Sequence, residues 1–156
     1  MTAYVDSSVV QRIVLGEPGR LREWRRITRP LASEVVRLEC LRTIDRARLR
    51  LGLADEAFAD RRAAVQELLE GFDLVRVDEA VLERAADPFP TSLGSLDGIH
   101  LATALLARAG CRDLVVATHD RELATAARAV GFRVLGSPGR QVARRDRALL
   151  PSKGAR

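Results

Sequence analysis

The sequence predicts an α/β fold, a three-layer α/β/α sandwich around a mainly parallel sheet of about five strands. Short apolar runs of strand length, "AYV", "PLAS", "DLVRV", "DLVVAT" and "FRVL", recur along the chain between polar or Gly/Pro boundaries. The segments between them carry apolar residues at helical spacing. Strict alternation of the two, rather than runs of one kind, is the pattern of parallel strands joined by helical crossovers.

Taken in order, "AYV" is a short buried strand that stops at Asp6, and Val9, Val10, Ile13 and Val14 then repeat at helical spacing until Gly16 and Pro18 end the helix. Leu21, Trp24 and Ile27 fall every third residue and predict a short amphipathic helix with an arginine-rich outer face. Pro30 breaks it, and "PLAS" follows as a strand ending in Ser33, a residue suited to capping. Val35, Leu38, Leu41, Ile44 and Leu49 mark a long helix from Glu34 to about Arg50, and a second long helix runs up to Gly71. After the strand "DLVRV", Asp78 caps a helix, "PFPTSLG" is a loop, and "SLDGIHLATALLARAG" is a strongly apolar helix. Strand "DLVVAT", helix "DRELATAARAVG" and strand "FRVL" complete the body, and the fold is expected to end at the "GSPG" turn.

A chain of 156 residues fits one domain with a core of its own. The expected division is a body over 1–138 and a basic tail over 139–156. From Gly136 onward lie six of the 26 basic residues and one of the 21 acids, which leaves 20 of each in the body, so the net charge of +5 belongs to the tail. A basic tail adds phosphate contacts or is simply a solvated terminus. Cys40 and Cys111 sit in apolar-periodic segments without a CxxC partner and read as small buried hydrophobes in a reducing compartment. No secretory leader and no run of about 18 apolar residues is present, so the expectation is a cytoplasmic protein with no membrane partner.

In open α/β sheets ligands bind at the carboxyl ends of the strands. Asp6 ends the first strand there, and Asp120 ends the fourth, two residues after Thr118. Asp97 opens the apolar helix, and Glu39 lies inside the long helix after the second strand with apolar neighbours that turn it inward. Singly, each has a plain reading: Asp6 and Asp120 as helix caps, Asp97 on a helix dipole, and Glu39 paired with Arg42 or Arg46. Together, converging carboxylates repel one another unless a cation sits among them, and oxygen-only donors suit Mg²⁺ or Mn²⁺ rather than Zn²⁺.

Four separated segments, "YVDSSVV", "SEVVRLECLR", "LDGIHLATAL" and "LVVATHDREL", resemble in order the motifs of the PIN-domain ribonucleases, and within them the VapC-type toxins of toxin–antitoxin pairs. The departures are Gly98 where Ala is usual and His119 where an aromatic or Arg is common. The resemblance implies a PIN-like fold and a Mg²⁺- or Mn²⁺-dependent endoribonuclease that cleaves RNA by metal-activated water. Its catalytic metal ligands would be Asp6, Glu39, Asp97 and Asp120, with Ser8 and Thr118 orienting them. It further implies a VapB-type antitoxin partner and a homodimer. His100, one turn after Asp97, reads as a structural group packing or hydrogen-bonding near the site, and His119 as a surface residue.

Other classes fit less well. A receiver domain needs a Lys near its last strand, and the chain's only Lys is Lys153; a dehalogenase-type phosphatase needs an acid where Ser8 stands. The remaining alternatives are a PIN-like module that binds RNA or protein without cutting, and a housekeeping nuclease with no antitoxin. Recognition would rest on shape and phosphates, with Arg12 or Arg37 as the arginines expected near the cleft.

Overall fold

A computed structural model describes residues 1–137; the expected basic tail, 139–156, lies outside the described residues. Five strands form one parallel sheet: β1 (Thr2–Val5), β2 (Arg29–Ser33), β3 (Asp73–Val75), β4 (Val115–Ala117) and β5 (Val134–Leu135), in the order β3-β2-β1-β4-β5. The helices are α1 (Ser7–Val14), α2 (Val35–Leu51), α3 (Asp55–Glu70), α4 (Glu79–Ala86), α5 (Ser95–Arg108) and α6 (Arg121–Ala129).

The period-two geometry of the strands sorts their side chains into two cores. Ala3, Val5, Ala32, Val115 and Ala117 face α1, α2 and α3, where Val9, Val10, Val36, Cys40, Ile44, Val65 and Leu69 bury against them. Tyr4, Leu31 and Val116 face the other way, onto Leu101 and Ala104 of α5 and Leu123, Ala126 and Ala127 of α6. The three layers are therefore helices, sheet and helices, as the alternating pattern predicts. Because β1 pairs with both β2 and β4, the strand order reverses beside β1, and a crevice opens between the carboxyl ends of β1 and β4.

Several predicted elements come out shorter, among them "DLVVAT", of which only Val115–Ala117 is strand. The helix expected over residues 19–27 is a single 3₁₀ turn, Trp24–Arg26. Glu23 before the turn makes no side-chain cap bond, and the chain must already be extended at Thr28, whose N–H bonds Met1 O, to enter β2. Leu21 still buries, and Trp24 packs 6.2 Å from the Phe72 ring. "DLVRV" pairs only over Asp73–Val75 because β2 ends opposite Val75, and "FRVL" only over Val134–Leu135 at the other edge. Cys40 is buried as expected, but Cys111 is partly exposed.

Gly52 closes α2 in the left-handed conformation (φ +60°), its N–H bonding Arg48 O at 2.9 Å. Gly136 has φ +85°, and a Cβ there would lie 2.8 Å from Thr118 O, so only glycine lets β5 return close to the end of β4.

Candidate metal centre

At the carboxyl ends of β1 and β4 a cleft of about 480 Å³ is lined by Asp6, Glu39, Asp97 and Asp120, with Ser7, Ser8 and Gln11 of α1, Arg42, Thr43 and Arg46 of α2, and Leu38 and Leu96. All four acids singled out in the sequence reach this one cleft, from four different elements.

Asp6 is held most closely. Its N–H bonds Ala117 O at 3.0 Å, which ties the end of β1 to β4. Its Oδ2 accepts the Ser8 hydroxyl at 2.5 Å, the Thr118 hydroxyl at 2.8 Å and the Ser8 N–H at 3.3 Å. The two hydroxyls are themselves fixed, since Ser8 Oγ accepts the His119 N–H and Thr118 Oγ1 the Asp120 N–H, each at 2.9 Å. Asp6 thus caps α1 weakly and is buried, while Oδ1 receives neither the Ser8 nor the Thr118 hydroxyl. The expected contacts of Ser8 and Thr118 to a site carboxylate are present, and Ser7 also approaches, its Oγ 3.4 Å from Oδ1.

Asp120 caps α6 through Oδ1, which accepts the Glu122 and Leu123 N–H groups at 2.7 and 2.8 Å. The capping reading is therefore realised for Asp120, on one oxygen only.

Glu39 does not pair along its helix. Arg42 turns to Asp45 (3.4 Å) and Arg46 to the Thr43 hydroxyl (2.9 Å). Instead Glu39 Oε2 lies 2.5 Å from His100 Nε2. His100 is wholly buried, and its Nδ1 is 2.7 Å from the Tyr4 hydroxyl, which accepts the Ser33 N–H at 3.1 Å. Glu39 Oε2 is the acceptor of its bond, so a ring proton sits on Nε2 and points at it, and in the neutral ring Nδ1 then accepts the Tyr4 O–H. Burial holds the Tyr4 hydroxyl well above its ordinary pKa, so it stays a donor. For His100 burial opposes the charged ring, but the Glu39 bond and the nearby Asp6 and Asp97 outweigh it, and the ring titrates above its ordinary value.

Asp97, half-buried near the start of α5, has its pKa pushed up to about 6, first by burial and then by Asp120 and Asp6, with His100 opposing. Burial is the larger cause, and the neighbouring carboxylates add to it. Cys40 beside the site is inert: burial pushes its thiol up to about 12.

Ligand-capable atoms of Asp6, Glu39 and His100 lie within 4.8 Å of one another; Asp97 and Asp120 stand outside this close group in the same cleft. Since His100 Nε2 is committed to Glu39 and has no exposure, the accessible donors are carboxylate oxygens. A hard, oxygen-seeking cation fits such a set.

Sequence reasoning missed the Tyr4 clamp and the arginines of the cleft. Arg12 instead bonds Pro18 O and Arg37 lines a neighbouring groove, whereas Arg42 and Arg46 line the cleft. The available signal was their spacing, three and seven residues after Glu39 on one helical face.

A sequence model of the PIN domain matches residues 3–129. Ribonuclease VapC46 of Mycobacterium tuberculosis is 33% identical over 135 residues, covering 85% of this chain and 95% of that protein. Ribonuclease VapC47 of the same species is 30% identical over 139 residues, 87% and 96% of the two chains. Among solved structures, a toxin–antitoxin complex from Klebsiella pneumoniae superposes with a TM-score of 0.58 at 16% identity, over 80% of this chain and 91% of that one. PAE2754 from Pyrobaculum aerophilum gives 0.58 at 18% identity, over 86% and 83%. The cleft at the β1/β4 crevice is thus that of a PIN domain, the family to which this chain belongs.

Proposed function

We propose that the chain is a divalent-metal-dependent endoribonuclease and the toxin of a toxin–antitoxin pair. The observation that carries this reading is the convergence of Asp6, Glu39, Asp97 and Asp120 on one cleft, with Asp6 gripped by two hydroxyls. The ribonuclease names of the two relatives support it. Mg²⁺ or Mn²⁺ is the proposed ion: these four carboxylates would hold it, and it would supply neutralisation of the phosphodiester and activation of the attacking water.

The chain's own residues do the rest. Ser8 and Thr118 donate to Asp6 Oδ2, which fixes the plane of a carboxylate that would hold the ion. His100 donates from Nε2 to Glu39 and holds it against repulsion from the other acids. Arg42 and Arg46 at the rim receive RNA phosphates, whose contacts position without reading bases. We further assign a VapB-type antitoxin as partner, a homodimer as the working form, the cytoplasm as its location, and residues 1–138 as the nuclease unit with 139–156 as a basic tail.

RNA incubated with the protein in Mg²⁺ or Mn²⁺ is expected to be cut, and EDTA to abolish cutting. Asp6→Asn and Asp97→Asn should each lower the rate by more than about 100-fold, beyond the loss of an outer hydrogen-bond partner, with circular dichroism unchanged. Undiminished cleavage in either variant would overturn the site, and binding without any cleavage by the wild type would make the protein an RNA-binding module.

A further inference from the structure

The cleft does not end at Arg46. Thr43 and Arg46 also line a second groove, about 450 Å³, between the end of α1, the outer half of α2 and the start of α3. Its lining carries Arg46, Arg50 and Arg61 together with the apolar Leu15, Leu53 and the exposed Leu51. Glu39, Thr43, Arg46 and Arg50 are spaced by four, three and four residues, so they form one stripe along α2. From Glu39 to Arg50 that stripe runs about 16 Å.

The charge of the groove is unbalanced. Arg46 bonds the Thr43 hydroxyl and Arg61 the Ala57 carbonyl, and among the described residues none of the three arginines has a carboxylate within ion-pair distance. The one acid of the groove, Glu17, lies 3.9 Å from Arg12 instead. Of the other arginines on these helices, Arg48 pairs with Asp55, and Arg42 and Arg62 both pair with Asp45. Arg37, at the start of α2, is likewise without an ion pair among the described residues but lines a different groove; Arg46, Arg50 and Arg61 are the ones gathered on this one.

We infer that this groove is a remote subsite for the RNA strand whose scissile phosphate occupies the carboxylate cleft, with Arg50 and Arg61 binding backbone phosphates and Leu51 and Leu53 supporting a base. The inference rests on the proposed nuclease reading. A strand leaving the cleft over Thr43 and Arg46 meets the cations in register with its own charges, and an unstacked base covers apolar lining that water otherwise wets. An acidic amphipathic protein segment shares part of that chemistry, but only the strand must pass continuously from the cleft into the groove.

The test uses the full chain and a fluorescein-labelled single-stranded RNA of about a dozen nucleotides, with anisotropy measured over a salt series in Ca²⁺. Arg50→Ala/Arg61→Ala is expected to bind about tenfold more weakly, with a log–log salt slope shallower by about 1.4, the loss of two single-strand phosphate contacts. In cleavage it should raise KM and leave kcat unchanged. Arg112→Ala/Arg133→Ala, which removes the same charge at the amino-terminal edge of the sheet, should keep the wild-type slope. Equal slopes and KM for the two double variants overturn the subsite while leaving the nuclease reading intact. Unchanged RNA binding with weakened antitoxin binding assigns the groove to a protein and also overturns it. A wild type that neither binds nor cuts RNA brings down the nuclease reading itself.

Discussion

Glu39 sits where its charge is least welcome, against Asp6 and in one cleft with Asp97 and Asp120, and its position is set by His100 rather than by its own helix. The chain from Ser33 N–H through the Tyr4 hydroxyl to His100 and Glu39 is buried at every step but the last. A hydrogen-bonded group behind a metal ligand is typically worth 10–100-fold in metal affinity. His100→Leu, which keeps bulk and removes the donor, should therefore weaken Mn²⁺ binding by about that factor in calorimetry, and His100→Gln, which keeps an N–H near Nε2, should recover part of it. Equal affinities for wild type and His100→Leu would show that the ring only fills space. Asp6, Asp97 and Asp120 were legible because strand ends and helix starts can be counted along a sequence, and Glu39 because its helical neighbours are apolar. The clamp was not: Tyr4 and His100 stand 96 residues apart, and alternation says only that Tyr4 faces away from Val5. His100 was legible as a hydrogen-bonding group near the site, but not its partner.

At the scale of elements, α5 carries both Asp97 and His100, so its first turn must be rigid. Gly98 lies in that turn and costs helix stability through its backbone freedom. A Cβ there would meet Ala85 O and the Phe89 ring at 3.6 Å, ordinary packing distance, and φ is not positive. Gly98→Ala should thus stabilise the protein by up to about 1 kcal/mol in denaturant titration. A destabilised variant would mean that α4 cannot yield a few tenths of an ångström. The helices themselves were legible from their 3.6-residue period and their caps, Asp78 and Asp120 among them. Strand lengths were not, because β3 and β5 stop where the neighbouring strand stops, a fact that resides in the partner. Nor was the collapse of 19–27 to one turn, since Leu21 and Trp24 can dock on the core without a full helix around them.

At the scale of the molecule, sheet order decides whether the site exists. The sequence pattern predicts parallel strands but not that β1 lies between β2 and β4, and it is this neighbourhood that brings Thr118 and Asp120 beside Asp6. Asp6 follows β1, Glu39 belongs to α2 on one face, Asp97 to α5 on the other, and Asp120 to the start of α6, so an ion among them cross-links both helical layers to the sheet. Ligand binding stabilises the folded chain by about 2.7 kcal/mol at a hundredfold excess over Kd, which for a domain of this size raises Tm by on the order of 5–10 °C. The gain depends on pH with a definite sign. Asp97 in the metal-free fold titrates near 6, above an unfolded carboxyl, so the folded chain holds the extra proton and loses stability as pH rises through that range. An ion must displace that proton below about pH 6 and need not above it. The Tm difference between Mn²⁺ and EDTA should therefore be small at about pH 5 and reach its full size at about pH 8. In Asp97→Asn the EDTA-state Tm should lose its Asp97-linked fall with pH, and the Mn²⁺ shift should shrink at both values. A shift that is the same at both pH values in the wild type would separate Asp97 from the bound ion.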